Sequence, residues 1–216
     1  LGDFANDGRF ELVQATGFVR GTVNRWPELQ ELAMANDELL ADPRVWAVFR
    51  PGADLSGGAH PPFFVRGTDG RYVDLAPELG LGTPHVSRGI ALADTDGDGD
   101  LDFAIANQWE ASIYVRNDCP HCGRSIELVL RLPLAAGASR PAIGAEARVR
   151  GPDGRVQTAQ VDGGNGHSGR RAPELHFGLG AVAADADIAV ALRWRDTDGH
   201  VRTQELTLRP GRHVLL

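Results

Sequence analysis

Four turns in which Asp-Gly is followed by arginine or histidine are spread along the chain, and they constrain its fold more than any other feature. Glycine reaches a positive φ without steric cost, and an aspartate side chain accepts a hydrogen bond from the backbone two residues on. The pattern therefore predicts an antiparallel, all-β protein. The turns are Asn6-Asp7-Gly8-Arg9, Thr68-Asp69-Gly70-Arg71, Pro152-Asp153-Gly154-Arg155 and Thr197-Asp198-Gly199-His200.

The composition and charge exclude several classes of protein. Glycine and proline contribute 27 and 13 of the 216 residues, an excess that argues against helix bundles and coiled coils. The net charge of −7 argues against a nucleic-acid partner. No apolar run approaches the roughly 20 residues that cross a bilayer, so we expect no transmembrane span in this chain.

One segment departs from the β pattern. Residues 26–42 carry apolar side chains at helical spacing, with Pro27 in the position of a first helical turn and Pro43 in that of a stop. This spacing predicts a single helix of about three to four turns. We place it in an insertion at about residues 24–60.

An acidic loop, Asp94-Thr95-Asp96-Gly97-Asp98-Gly99-Asp100-Leu101-Asp102, carries the clearest chemical signal. Calcium takes about six to eight oxygen ligands, and the loop repeats carboxylates at alternate positions around two glycines. We predict a calcium ion bound by the side chains of Asp94, Asp96, Asp98 and Asp102 and by the main-chain carbonyl of Asp100. Ile105 stands where an EF-hand has glutamate, and the following residues resemble a strand. The interpretation is a strand–loop–strand calcium site, and the alternative is a solvated acidic turn.

The hydrophobic pattern of the sequence changes after the segment 117–124, which we take as a domain boundary. Residues 126–132 alternate between apolar and polar side chains, and further alternating segments follow. These segments predict a second β domain at 125–216, built as a sandwich or open barrel, after a first region at 1–118. The further strands are expected near residues 145–150, 155–161, 175–177, 187–194, 201–208 and 213–216.

Two family resemblances add to this interpretation. Residues 87–93, the acidic loop and residues 101–107 resemble the FG-GAP/VCBS repeat of integrin-like β-propellers. The second half resembles the ASPIC/UnbV domain of cartilage-acidic-protein-like proteins and of bacterial relatives, some from enediyne gene clusters. The matching segments are Ala142-Ile143-Gly144-Ala145, Gly163-Gly164-Asn165-Gly166-His167-Ser168 and Leu175-His176-Phe177-Gly178-Leu179-Gly180.

The resemblance implies a partial calcium-binding propeller followed by a β-sandwich-like ASPIC/UnbV domain. About two propeller repeats are fewer than a closed propeller needs. We therefore expect the first region to pair with a missing upstream propeller segment or with another protein chain. Because the chain begins at Leu1 without a leader, we expect it to be a processed or truncated piece of a longer polypeptide.

Cys119 and Cys122 leave three interpretations open: a structural disulfide, free thiols, or a redox or metal site. The resemblance implies an extracellular or periplasmic protein, and a disulfide would follow from that location. The expected function is a secreted calcium-binding module in protein binding or scaffolding, within a larger protein or assembly. The alternative is a biosynthetic enzyme of the UnbV-like type with structural calcium, although we identify no convergent acid, base and nucleophile in the sequence.

Overall fold

The computed structural model describes residues 1–55, 58–162 and 169–215. The protein is mostly β, with 40% strand and 9% helix, which confirms the predicted fold class. It divides into two compact units. Unit 1 comprises Leu1–Glu11, Ile90–Ala104 and Tyr114–Leu216, and unit 2 comprises Leu12–Gly89 and Ile105–Ile113. The predicted family segment at residues 163–168 lies outside the described residues.

The described elements are short, and most of them are strands. The helical elements are α1 (Trp26–Ala33), α2 (Asp37–Leu40) and 3-10 turns at Pro43–Val45 and Ala135–Gly137. The strands are β1 (Leu12–Val13), β2 (Val23–Asn24), β3 (Ala53–Asp54), β4 (Phe63–Arg66), β5 (Tyr72–Asp74), β6 (Ser87–Ala93), β7 (Asp102–Asn107), β8 (Ile113–Val115), β9 (Arg124–Pro133), β10 (Ser139–Pro141), β11 (Glu146–Arg150), β12 (Val156–Gln160), β13 (Arg170–Arg171), β14 (Leu175–Gly180), β15 (Ile188–Arg195), β16 (Val201–Leu208) and β17 (Gly211–Leu215).

Two four-stranded sheets build most of unit 1. In one, β10 and β14 pair antiparallel with β9, while β17 runs parallel to β9. The other has the order β12-β11-β15-β16 and is antiparallel throughout. Because side chains alternate along a strand, each sheet presents every second residue to the same face.

The apolar faces of these two sheets meet in one core. The core side chains come from β9 and β14 of one sheet and from β11 and β15 of the other. This arrangement follows the alternation that the sequence shows at residues 126–132, where every second residue is apolar. The buried residues are Ile126, Leu128, Leu130, Leu132, Ala142, Ala145, Ala147, Val149, Val161, Leu175, Phe177, Ile188, Val190 and Leu192.

The four Asp-Gly turns adopt the predicted conformation. Gly8, Gly70, Gly154 and Gly199 all have positive φ, between 79° and 85°. Three of the turns join antiparallel neighbours, namely β4 with β5, β11 with β12, and β15 with β16. The fourth lies between residues 2 and 11, which form an isolated antiparallel bridge. The hairpin prediction is confirmed.

Unit 2 contains the helical insertion, and here the prediction of one continuous helix is wrong. The segment forms α1 and α2 instead, with an interruption at residues 34–36. Asn36 adopts an extended conformation, and its side-chain oxygen accepts a hydrogen bond from the Leu39 N–H at 2.9 Å. This capping bond starts a new helix. Apolar spacing alone did not reveal the competing cap.

Candidate functional site

The acidic loop connects β6 to β7 within a sheet of order β13-β6-β7-β8. Asp94 directly follows β6, and Asp102 is the first residue of β7. Between them Gly97 and Gly99 have φ values of 81° and 94°. These left-handed conformations, which glycine adopts readily, fold the backbone into a tight turn. The ends of two neighbouring strands therefore carry the first and last carboxylates of the loop.

Three of the five predicted ligand residues converge. Carboxylate oxygens of Asp94, Asp96 and Asp102 all lie within 4.8 Å of one another. Asp98 belongs to a second, exposed group with Asp96 and Asp118. The side chain of Asp100 lies in neither group among the described residues. The prediction assigned the main-chain carbonyl, not the carboxylate, of Asp100 to the ion.

Asp102 is the buried member of the group, with 0% of its surface exposed. Its Oδ2 accepts hydrogen bonds from the Thr95 N–H at 3.0 Å, from the Thr95 hydroxyl and from the Tyr114 hydroxyl at 3.2 Å. Its Oδ1 accepts from the Asn117 N–H at 2.8 Å. Burial alone raises the pKa of Asp102, but these hydrogen bonds outweigh it and hold the pKa below its usual value.

The other loop carboxylates accept hydrogen bonds from the loop backbone. Asp94 accepts from the N–H groups of Gly97 and Gly99, at 2.8 and 3.0 Å. Asp98 accepts from the Asp100 N–H at 2.9 Å. These bonds fix the turn, and they leave further lone pairs on each carboxylate, because an ionised carboxylate accepts about four hydrogen bonds.

Asn6 links the loop to β14, in the sheet built on β9. Its amide Nδ2 donates to the Gly99 carbonyl at 3.1 Å and to Asp100 Oδ1 at 2.7 Å. Its Oδ1 lies 2.7 Å from Nε2 of His176 on β14. Burial raises the pKa of Asp100 to about 6, and the charge of Asp98 adds to the effect. A chain of hydrogen bonds thus runs from the acidic loop to His176.

The N-terminal turn holds Asn6 in place through close packing. Asp3 is buried and accepts hydrogen bonds from the N–H groups of Asp7 and Gly8, at 3.0 and 2.8 Å. A Cβ at Gly178 would collide with the Asp3 carboxylate and with the Asn6 backbone. Glycine at this position of β14 is therefore what allows the turn to lie against the strand.

One ring nitrogen of His176, Nε2, is hydrogen-bonded to Asn6, and the other, Nδ1, lacks a hydrogen-bond partner among the described residues. Burial lowers its pKa to about 4, although the negative charge of Asp94 acts in the opposite direction. The imidazole is therefore neutral at pH 7, and one ring nitrogen is an acceptor. Nδ1 is buried and has no hydrogen-bond partner among the described residues. An unsatisfied buried acceptor costs about 1–3 kcal/mol of stability.

A cavity of about 280 Å³ lies within unit 1 beside this histidine. Its apolar wall includes Leu92, Leu101, Leu175 and Phe177. Its polar wall combines His176 with carboxylates and two arginines, and Asp94 of the acidic loop is one of those carboxylates. The polar residues of this wall are Asp3, Asp94, Glu127, Arg155, Gln157, Thr158, Arg171, Glu174 and His176.

Two buried carboxylates of the cavity have unusual pKa values. Burial raises the pKa of Asp3 to about 6, against the opposing effect of its backbone hydrogen bonds from Gly8 and Asp7. Burial also raises the pKa of Glu127 to about 7, while the charge of Arg212 acts against it. Arg212 donates to both Glu127 oxygens, at 3.1 and 2.9 Å. The cavity thus holds carboxyl groups that titrate near neutral pH.

Cys119 and Cys122 are joined by a disulfide in the segment that precedes β9. Their Cα atoms lie 5.4 Å apart. The bond closes a short loop, so it restricts few conformations of the unfolded chain. Among the interpretations that the sequence leaves open, the structure contains the disulfide.

The oxygen ligands that the acidic loop offers are of the kind that calcium binds. Carboxylates and carbonyls are hard oxygen donors, and three carboxylates already converge at the strand ends. The same residues are a poor match to zinc, which takes nitrogen and sulfur ligands in tetrahedral sites, because the loop contains neither histidine nor cysteine. Asp94 and Asp96 could hold a cation as they stand, whereas Asp102 already accepts four hydrogen bonds and would exchange one of them for the ion. Asp98 shares a group of carboxylates with Asp96 and could join them.

A comparison with protein families assigns the C-terminal part of the chain to a known domain family. The family described as ASPIC and UnbV matches residues 135–216. Residues 135–216 form an ASPIC/UnbV domain. The ASPIC/UnbV match covers less than half of the chain and contains His176 but not the acidic loop. No curated protein matches this chain. None of the described helices is long and apolar enough to cross a membrane.

Sequence reasoning missed the cavity and its buried polar residues. Glu127 alternates with Ile126 and Leu128, a pattern that places it on the polar, solvent-facing side of β9. The structure buries it to 4% exposure, because both faces of β9 are covered. Asn6 was interpreted only as part of a turn. The one available signal for His176 was its position in the family segment 175–180.

Proposed function

We propose that this chain is a calcium-stabilised binding module whose acidic loop belongs to an FG-GAP/VCBS-type repeat. The observation that carries the proposal is the convergence of Asp94, Asp96 and Asp102 around the ends of β6 and β7. Carboxylates held this close repel one another, and a divalent cation removes that repulsion. The proposed role of calcium is structural, and no step of a reaction is assigned to it.

The proposed ligand set combines four side chains and one backbone group. Asp94, Asp96, Asp98 and Asp102 would supply carboxylate oxygens, and Asp100 would supply its carbonyl. The side chain of Asp100 is already engaged by Asn6, which supports a backbone role for this residue. When bound, the ion supplies positive charge that ties the two strand ends together. Magnesium fits less well, since it demands a smaller octahedral site and retains several waters.

Isothermal titration calorimetry tests the metal site directly. The chain, stripped of metal with a chelator, is titrated with CaCl₂ and separately with MgCl₂. We expect about one calcium ion per chain and weaker or no magnesium binding. Asp96→Ala should remove most of the calcium signal. The control is Asp153→Ala, in the hairpin between β11 and β12, which should retain it. Absence of calcium binding at millimolar concentration would contradict the proposal.

We also propose that the module binds another protein segment along an open sheet edge. In the described part of unit 2, β5 is an edge strand of the sheet β1-β4-β5. Val73 on this strand is 53% exposed. An exposed edge with apolar side chains is a template on which a further strand can pair. The occupant we propose is an upstream propeller segment or another chain.

A photo-crosslinking amino acid placed at position 73 tests the edge. In the native host we expect it to capture a defined protein segment. The matched control is position 39 on α2, outside any sheet, where Leu39 is similarly exposed at 49%. Equal capture at both positions, or none at position 73, would argue against the edge.

An extracellular or periplasmic location is part of the proposal, and the Cys119–Cys122 disulfide supports it.

A further inference from the structure

We propose that the cavity of unit 1 binds a small organic molecule that carries a hydroxyl or amino group on a hydrocarbon body. The cavity lies beside the acidic loop and shares Asp94 with it. Its volume of about 280 Å³ is near the lower end of typical ligand sites. Its apolar wall, the charges of its polar wall and the unpartnered Nδ1 of His176 point to this class of ligand.

The apolar wall suits a hydrocarbon body. Leu92, Leu175 and Phe177 are at most 4% exposed, and all three line the cavity. An apolar group placed against them removes further apolar surface from water, which is favourable. This wall supplies affinity without selecting the polar group of the ligand.

The polar wall favours hydrogen-bond donors over anions. Of its four carboxylates, Glu127 and Glu174 are paired with Arg212, whereas Asp3 and Asp94 accept hydrogen bonds from backbone N–H groups; two arginines also line the wall. Both arginines already have partners. Arg155 donates to the Asp7 carbonyl at 2.9 Å, and Arg171 donates to the Leu1 carbonyl at 3.2 Å. A carboxylate ligand would therefore meet repulsion, whereas an O–H or N–H group would meet acceptors.

His176 supplies an acceptor that has no partner. The two donations from Asn6 Nδ2, to Gly99 and Asp100, orient the amide so that its Oδ1 faces His176. His176 Nε2 must therefore carry the proton, which leaves Nδ1 with a lone pair. Nδ1 is buried without a partner among the described residues, and His176 lines the cavity. Because Nδ1 has almost no accessible surface, a donor on the ligand would reach it only where the neighbouring side chains of the wall move aside.

The test uses four probes that share a ring and differ in one substituent: benzyl alcohol, benzylamine, toluene and benzoate. Each is titrated into the wild-type chain by NMR, once with calcium and once with a chelator. Running both conditions separates this proposal from the calcium proposal. We expect the alcohol and the amine to bind about tenfold more tightly than toluene, the factor that corresponds to one hydrogen bond, and benzoate to bind most weakly. Tighter binding of the amine would assign the ligand class to amines, and tighter binding of the alcohol would assign it to alcohols.

A matched pair of variants assigns the preference to His176. In His176→Phe, binding of toluene should persist while the preference for benzyl alcohol falls to about twofold or less. His200→Phe, in the exposed hairpin between β15 and β16, should behave like wild type. If His176→Phe does not fold, the ¹⁵N resonance of His176 Nδ1 in the wild-type chain serves instead. It should shift with benzyl alcohol and not with toluene. Failure of all four probes to bind in both conditions, or equal binding of alcohol and toluene, would overturn the proposal.

Discussion

Replacement of Asp102 by asparagine tests how the buried end of the acidic loop is stabilised. The substitution keeps the shape of the side chain but turns one acceptor oxygen into an amide donor. Oδ2 accepts from three donors, the Thr95 N–H, the Thr95 hydroxyl and the Tyr114 hydroxyl, while Oδ1 accepts from the Asn117 N–H. In either orientation, the NH₂ group introduced by asparagine would face at least one of these N–H or O–H groups and could not accept its hydrogen bond.

The expected loss follows from those contacts. A hydrogen bond to a charged group contributes about 1.5–3 kcal/mol, and such contributions do not add fully. We therefore expect Asp102→Asn to lower the free energy of unfolding by about 2–4 kcal/mol at pH 7 in the presence of a chelator. Urea unfolding followed by circular dichroism measures it, with linear extrapolation to water.

The pH dependence of this loss gives an independent check. The folded-state pKa of Asp102 is below its usual value of 3.8, so its stabilising contribution is present above that value. The contribution disappears as the pH falls through the folded-state pKa. The difference between wild type and Asp102→Asn should therefore shrink as the pH falls below 3.8 and through the lowered folded-state pKa. Asp153→Asn, in an exposed hairpin turn, is the control and should change stability by less than about 0.5 kcal/mol. A loss for Asp102→Asn no larger than that of the control would refute the reasoning.

Two further predictions concern Glu11 and the disulfide. Burial raises the pKa of Glu11 to about 7 from 4.5, so its ionisation destabilises the folded state as the pH rises through that range. Glu11→Gln keeps an acceptor for the Phe4 N–H and should be about 1–3 kcal/mol more stable than wild type at pH 8, with no difference near pH 4 in urea titrations. Removing the disulfide with Cys119→Ser and Cys122→Ser should lower stability by only about 1–2 kcal/mol, because the closed loop is short. Free thiols in unreduced, denatured wild-type protein would contradict the disulfide.

The sequence predicted the β framework because the responsible interactions are local. An Asp-Gly pair determines a turn through its own φ values and its own side-chain hydrogen bonds, and Gly70, Gly154 and Gly199 behave accordingly. Alternation along residues 126–132 likewise reports which side chains face the core. The acidic loop is also local, so its tight turn and its three converging carboxylates were within reach of sequence reasoning.

The cavity could not be predicted, because it depends on contacts between residues far apart in the chain. His176 meets Asn6 across 170 positions, and only the close approach of the N-terminal turn to Gly178 brings them together. The single helix predicted for residues 26–42 failed for a different reason. The cap at Asn36 competes locally with helix continuation, and apolar periodicity does not register such a cap.

Scanning calorimetry with and without calcium tests the central claim most directly. An ion that binds only the folded chain stabilises it by mass action, by about 2.7 kcal/mol at a concentration one hundred times the dissociation constant. We predict that millimolar calcium raises the melting temperature of the wild-type chain and that excess chelator reverses the rise. Asp96→Ala should lose most of the effect, and Asp153→Ala should keep it. A wild-type transition that is unchanged between calcium and chelator would contradict a structural calcium site at Asp94–Asp102.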